Sequence, residues 1–221
     1  MTVRSRNSGV AAARTRIPLW VKLVYLGWFV VWLPTYWTQH GPANLLWLCD
    51  IANIVVALAL VLESPLLVSS QAVGVLLIQA AWIIDFFCRL LFGIHPIGGT
   101  EYMFDTGQAL WLRAMSLFHL FVPILLIWAL LRLGYHRYGW RIESALCWVV
   151  LPLSFVAAPP AANLNWLWAP FGIEQTWLSP AGYLLFCLVA YPTIIFWPSH
   201  RLLLAWARSR QVAILPDDGP G

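Results

Sequence analysis

VSSQAVGVLLIQAAWIIDFFCRLLF, residues 68–92, carries one acid and one base in a run that is otherwise apolar or uncharged. A helix rises about 1.5 Å per residue, so this run is long enough to cross a hydrocarbon layer of about 30 Å. A water-soluble helix of that length would show a charged face, and none is present. Within it Gln71, Val75, Ile78, Trp82, Asp85 and Arg89 recur at intervals of four and three, which lines them along one side. That side is not suited to lipid. Asp85 precedes Arg89 by one turn, the favourable order for a side-chain ion pair, so the two are expected to pair.

Five further apolar stretches surround this one, at 17–37, 43–62, 110–133, 142–158 and 180–205, and 142–158 is the shortest. Breakers separate them, among them His40-Gly41-Pro42, Glu63-Ser64-Pro65, Gly98-Gly99 and Ala158-Pro159-Pro160. Hydrophobic residues make up 61% of the chain and charged residues 10%, against roughly 45 to 50% and about 25% in soluble domains. The expected fold is all-α: a polytopic bundle of six transmembrane helices over 17–206, preceded by a basic tail at 1–16 and followed by a disordered tail at 207–221. The first stretch lacks a small-residue cleavage site and reads as a retained helix rather than a leader.

Eleven of the 13 Lys and Arg fall on one side of such a bundle: Arg4, Arg6, Arg14, Arg16, Lys22, Arg132, Arg137, Arg141, Arg201, Arg208 and Arg210. Only Arg89 and Arg113 remain near the other. By the positive-inside rule both termini are cytoplasmic, and the expected location is a cell membrane. The net charge of +4 is explained by a rim facing anionic headgroups, so no nucleic-acid partner is called for. Most of the 15 tryptophans fall near the two expected boundaries and read as interfacial belts, whereas Trp28, Trp82 and Trp148 lie deeper and read as packing.

Three helices place ionisable groups at a common depth. Asp50 lies in the second stretch with Asn53 one turn on, Asp85 in the third, and His119 in the fourth with Ser116 and Pro123 on its face. Each sits roughly 10 to 14 Å below the outer boundary. Pro123 has no N–H to offer, so the His119 carbonyl loses its helical partner. Two readings stand side by side. Asp50, Asp85, Arg89 and His119 form a buried knot that fixes helix order, or they line a binding or catalytic cavity. The connections 93–109 and 159–179 are too apolar for free loops and too broken for spans, and read as a cover in which Asn163 and Asn165 either reach the site or cap loop backbone.

Cys49, Cys88, Cys147 and Cys187 stand singly, and the five histidines lack the spacing of a helical metal pair, so neither a metal nor any other cofactor is expected.

The segment Leu46-Trp47-Leu48-Cys49-Asp50-Ile51-Ala52, with Leu117-Phe118-His119-Leu120 and Asn163-Leu164-Asn165-Trp166, resembles the YwaF-type bacterial integral membrane proteins. Relatives of that family include a eukaryotic membrane acyltransferase acting on phospholipid chains. The resemblance covers about residues 40 to 205 and implies a candidate acyl-accepting thiol at Cys49 with His119 as its base. The family pattern has a histidine two residues before the cysteine, where this chain has Trp47.

Two functions are therefore expected as alternatives. One is a membrane protein whose outer site binds a small solute or lipid headgroup through Asp85, Arg89, Asn53, Asn163, Asn165 and Trp82. The other is a lipid-modifying enzyme using His119 with Asp50 or Cys49. Partners are the bilayer and a lipid or small-molecule ligand. The chain is short for a two-halved transporter, and a homo-oligomer would supply the second half.

Overall fold

The computed structural model describes residues 16–216. It is 78% helix and 2% strand. The basic segment holding Arg4, Arg6 and Arg14, and the last residues of the expected tail, lie outside the described residues.

Six helices follow in order: α1 Leu19–His40, α2 Leu48–Leu62, α3 Pro65–Phe92, α4 Leu110–Leu133, α5 Gly139–Ala157 and α6 Pro180–Ser209. Among the described residues five of them are long and apolar enough to cross a membrane, and α2, with 15 residues, is the shorter one. The expected shortest stretch, 142–158, is instead a helix of 19 residues. The difference has a local cause. Residues Pro42–Leu46 close into a tight 3-10 turn and Trp47 is extended (φ −58°, ψ 133°), so α2 cannot start before Leu48. At the head of α5, Gly139 lies against the backbone of Ser69, where a Cβ would come within 2.8 Å, and this contact lets the helix begin earlier.

Helix starts follow sequence signals. Ser64 Oγ accepts from Leu67 N at 3.3 Å ahead of Pro65, and Ser179 Oγ accepts from Gly182 N at 3.2 Å ahead of Pro180. Inside α6, Tyr191–Phe196 widens into a π turn. Pro192 has no N–H, which leaves the Leu188 carbonyl unmatched. Trp148 Nε1 donates to that carbonyl at 2.9 Å. Trp148 is thus not an interior packing residue as expected: it is 58% exposed on the outside of α5, held there by a backbone acceptor that only the proline frees.

α3 is the central helix and packs against α2, α4, α5 and α6. α1 closes the bundle through Trp28 and Trp32, whose rings meet Phe118 and Phe121 of α4. At one end Lys22 Nζ lies 2.7 Å from Glu63 Oε1, and Arg132 Nη1 donates to Arg16 O at 3.2 Å. At this same basic end β1 (Tyr135–His136) runs parallel to β2 (Ile214–Leu215). The expected disordered tail is therefore corrected for its described part: α6 continues to Ser209, and 214–215 return to pair with the connection between α4 and α5. The other end gathers the connections 41–47, 93–109 and 158–179.

Candidate polar site at the end opposite the basic connections

Asp85 is fully buried and takes four donors from the connection that follows its own helix. Its Oδ1 accepts from the N–H groups of Ile97 at 2.9 Å and Gly98 at 3.0 Å, and its Oδ2 from His95 Nδ1 at 2.9 Å and Thr100 Oγ1 at 2.5 Å. Gly93 ends α3 in the left-handed region (φ 75°) and turns the chain back. The loop then descends beside the helix until its amides reach the carboxylate. This corrects the expected Asp85–Arg89 ion pair. Arg89 is exposed; its Nη1 donates to Gly93 O at 2.5 Å and its guanidinium lies 5.7 Å from the Phe104 ring centre. The loop donors occupy both carboxylate oxygens, and Arg89 is left to the surface.

His119 lies on the other side of Trp82. The two rings stack with centroids 4.5 Å apart at 11°. His119 Nδ1 is 2.8 Å from Ser116 O. A carbonyl only accepts, so Nδ1 carries the proton and Nε2 keeps a lone pair. No hydrogen bond to Nε2 forms among the described residues, and no side chain donates to the His119 carbonyl that Pro123 leaves open. Trp82 Nε1 donates to Tyr102 Oη at 3.2 Å, and Tyr36 Oη meets Ser116 Oγ at 2.6 Å. Burial pushes the Tyr102 phenol above its usual range, against the opposing pull of its hydrogen bonds to Ser116 and Trp82. Tyr36, Ser116, Tyr102, Trp82 and His119 thus form one network joining α1, α3, α4 and the 93–109 connection.

Asp50 sits in the first turn of α2 and is 2% exposed. Asn44 Nδ2 donates to its Oδ2 at 3.3 Å. The positive end of the helix dipole favours a carboxylate here. No hydrogen bond links Asp50, Asp85 and His119 to one another among the described residues. Cys49 is half-buried, and no hydrogen bond connects its free thiol to His119. Asn53 turns toward α1, where Tyr25 Oη donates to its backbone carbonyl at 3.1 Å.

The two loop asparagines serve the backbone. Asn163 accepts from Trp168 N at 3.0 Å and Ala169 N at 2.9 Å and donates to Ala169 O at 2.8 Å. Asn165 accepts from Leu48 N at 2.9 Å and donates to Leu46 O at 2.8 Å and Ser154 Oγ at 3.0 Å. Of the two roles open to them, capping is the one these bonds fill.

His95, Tyr36 and Tyr102 escaped the sequence reading. Tyrosines near a boundary look like belt residues, and His95 precedes a proline in a loop whose path no periodicity gives. His95 nevertheless lines an open depression of ≈ 540 Å³ together with Pro96, Ile97, Gly98, Glu101, Phe171 and Ile173. Its Nδ1 is committed to Asp85, so its Nε2 is the nitrogen left for a ligand. Glu101 Oε2 accepts from Gly99 N at 2.7 Å, leaving the other carboxylate oxygen unengaged. Comparison with family models, with curated proteins and with solved structures gives no match for this chain.

Proposed function

We propose that this is a multi-pass membrane protein, with both termini cytoplasmic, that binds a small solute or a lipid headgroup at the end away from its basic connections. The depression between the 93–109 and 159–179 connections is the entry, His95 and Glu101 are the polar contacts, and Asp85 positions His95. The observation that carries this reading is the four-donor engagement of Asp85, which fixes a histidine in the wall of a depression of mixed polar and apolar lining, with one ring nitrogen left over. Binding sites combine apolar walls with a few placed polar groups in this way. Residence in a bacterial inner membrane belongs to the same proposal and rests on the basic asymmetry and the family resemblance.

The test is to purify the protein gently and identify retained molecules by mass spectrometry, for wild type, His95→Ala and Asp85→Asn. Loss of a retained ligand from His95→Ala, with helical content unchanged, supports the site. Equal retention by all three rules it out.

A lipid-modifying enzyme is the second reading, and one feature favours it. The Ser116 carbonyl fixes the His119 tautomer with Nε2 unpaired, the arrangement a general base requires. Asp50 and Cys49 lie near the same network. Labelled phospholipids reconstituted with the protein should be turned over by wild type and not by His119→Ala. Absence of turnover in both removes this reading.

A further inference from the structure

The donors and acceptors around the depression that holds His95 are not evenly matched. The loop's own donors are spent: the N–H groups of Ile97 and Gly98 go to Asp85 Oδ1, that of Gly99 to Glu101 Oε2, and Thr100 Oγ1 to Asp85 Oδ2. On the facing connection Ile173 N donates to Pro170 O at 2.9 Å.

Three acceptors remain. Gly98 lies in the left-handed region (φ 84°), and a Cβ built on it would stand 3.4 Å from Glu101 Oε1 and 3.6 Å from Phe171 O. Two oxygens from different connections therefore converge over one glycine. No hydrogen bond to the Phe171 carbonyl forms among the described residues. The third acceptor is His95 Nε2. Nδ1 is 2.9 Å from Asp85 Oδ2 and 3.1 Å from Thr100 Oγ1, and Thr100 has already given its proton to Asp85. Both neighbours of Nδ1 accept, so the proton sits there and Nε2 keeps its lone pair.

Glu101 brings a negative charge to this wall, and no Lys or Arg forms an ion pair with it among the described residues. The arginines of this end are turned elsewhere. Arg89 serves Gly93 O and the Phe104 ring, and Arg113 Nη1 donates to Met103 O at 2.7 Å. The depression holds ≈ 540 Å³, with carbon walls from Pro96, Ile97, Phe171 and Ile173. That is the size and lining of a site for an organic molecule rather than a bare ion. We propose that its ligand is an organic ammonium, whose N–H groups meet Glu101 Oε1, Phe171 O and His95 Nε2 while its carbon chain lies on the apolar wall. The inference rests on the reading of this depression as a binding site and names the class of ligand.

The test is calorimetric titration of the purified protein with ethanolamine, dihexanoyl phosphatidylethanolamine and dihexanoyl phosphatidylglycerol. An amine-bearing probe should bind saturably, and Glu101→Gln, which keeps an acceptor for Gly99 N, should weaken it by about tenfold. Binding of free ethanolamine identifies a soluble amine, and binding of the phosphatidylethanolamine alone identifies a lipid headgroup. A preference for phosphatidylglycerol, no binding of either amine, or an amine affinity untouched by Glu101→Gln overturns the proposal. If wild type retains a ligand without an amine and His95→Ala loses it, the binding site stands and the ammonium falls. If nothing is retained and no probe binds, both fall together.

Discussion

Asp85 and Asp50 belong to neighbouring helices and to the same expected depth, yet they differ in what surrounds them. Asp85 receives four donors, whereas Asp50, only 2% exposed, receives one long bond from Asn44. The first is a structural anchor whose capacity is filled, and the second retains an oxygen open to another group. A different carboxylate sets the pH response of the basic end. Lys22 beside Glu63 holds its carboxyl below the usual value of 4.5. A folded value below the unfolded one means that the pair contributes stability above the unfolded value and loses it as pH falls through the folded one. Because both side chains are partly exposed, the contribution is under about 1 kcal/mol. Glu63→Gln should lower the unfolding midpoint slightly at neutral pH and flatten its decline on acidification toward about pH 4. An unchanged slope in the variant would show that the pair has no part in it.

At the scale of elements, the short α2 depends on a residue far from it in sequence. Trp47 offers no side-chain cap, and the Leu48 N–H is instead taken by Asn165. Asn165 performs this in the left-handed region (φ 51°), with Asn163 (φ 45°) before it and Trp166 (φ 58°) after it. Asparagine tolerates that backbone better than most residues. Its side chain then joins the start of α2, the Leu46 carbonyl and Ser154 of α5. Asn165→Ala should cost about 1 to 2 kcal/mol, chiefly the loss of the cap on the Leu48 N–H, since the Leu46 carbonyl and Ser154 Oγ keep a hydrogen bond to each other at 3.3 Å and Ser154 Oγ keeps one to Val150 O at 2.8 Å. Hydrogen exchange should accelerate first at the amino-terminal turn of α2, and uniform acceleration over the whole bundle would contradict the capping role. The sequence marks Asn163 and Asn165 as polar residues in a covering loop, but the turn geometry that sends them to backbone partners is invisible until the loop is placed.

For the whole molecule, alternating helices put Lys22, Glu63 and β1 with β2 at one end and the 93–109 and 158–179 connections at the other. With the four native cysteines replaced, Ile173→Cys should react with a membrane-impermeant maleimide on intact cells, and Gln211→Cys only after lysis. Both positions are exposed. The reverse pattern would invert the proposed orientation, and labelling of both from outside would require an even number of crossings between them.

The sequence by itself determined that the chain is helical, that its helices are apolar enough for a membrane, and that its basic residues are unevenly shared among the connections. These properties follow from composition and from the fixed rise of a helix, which act along the chain and need no knowledge of neighbours. Only the tertiary structure decided which polar groups meet. Asp85 turned to His95 and Thr100 rather than Arg89 because a left-handed Gly93 folds the loop back within reach. Glu143, at the edge of the expected 142–158 stretch, is buried because Gly74 and Gly139 let α5 start early and lie close against α3. In each case the outcome depends on a distance between residues remote in sequence and on which donors arrive first at a carboxylate, and neither quantity is written in the order of residues.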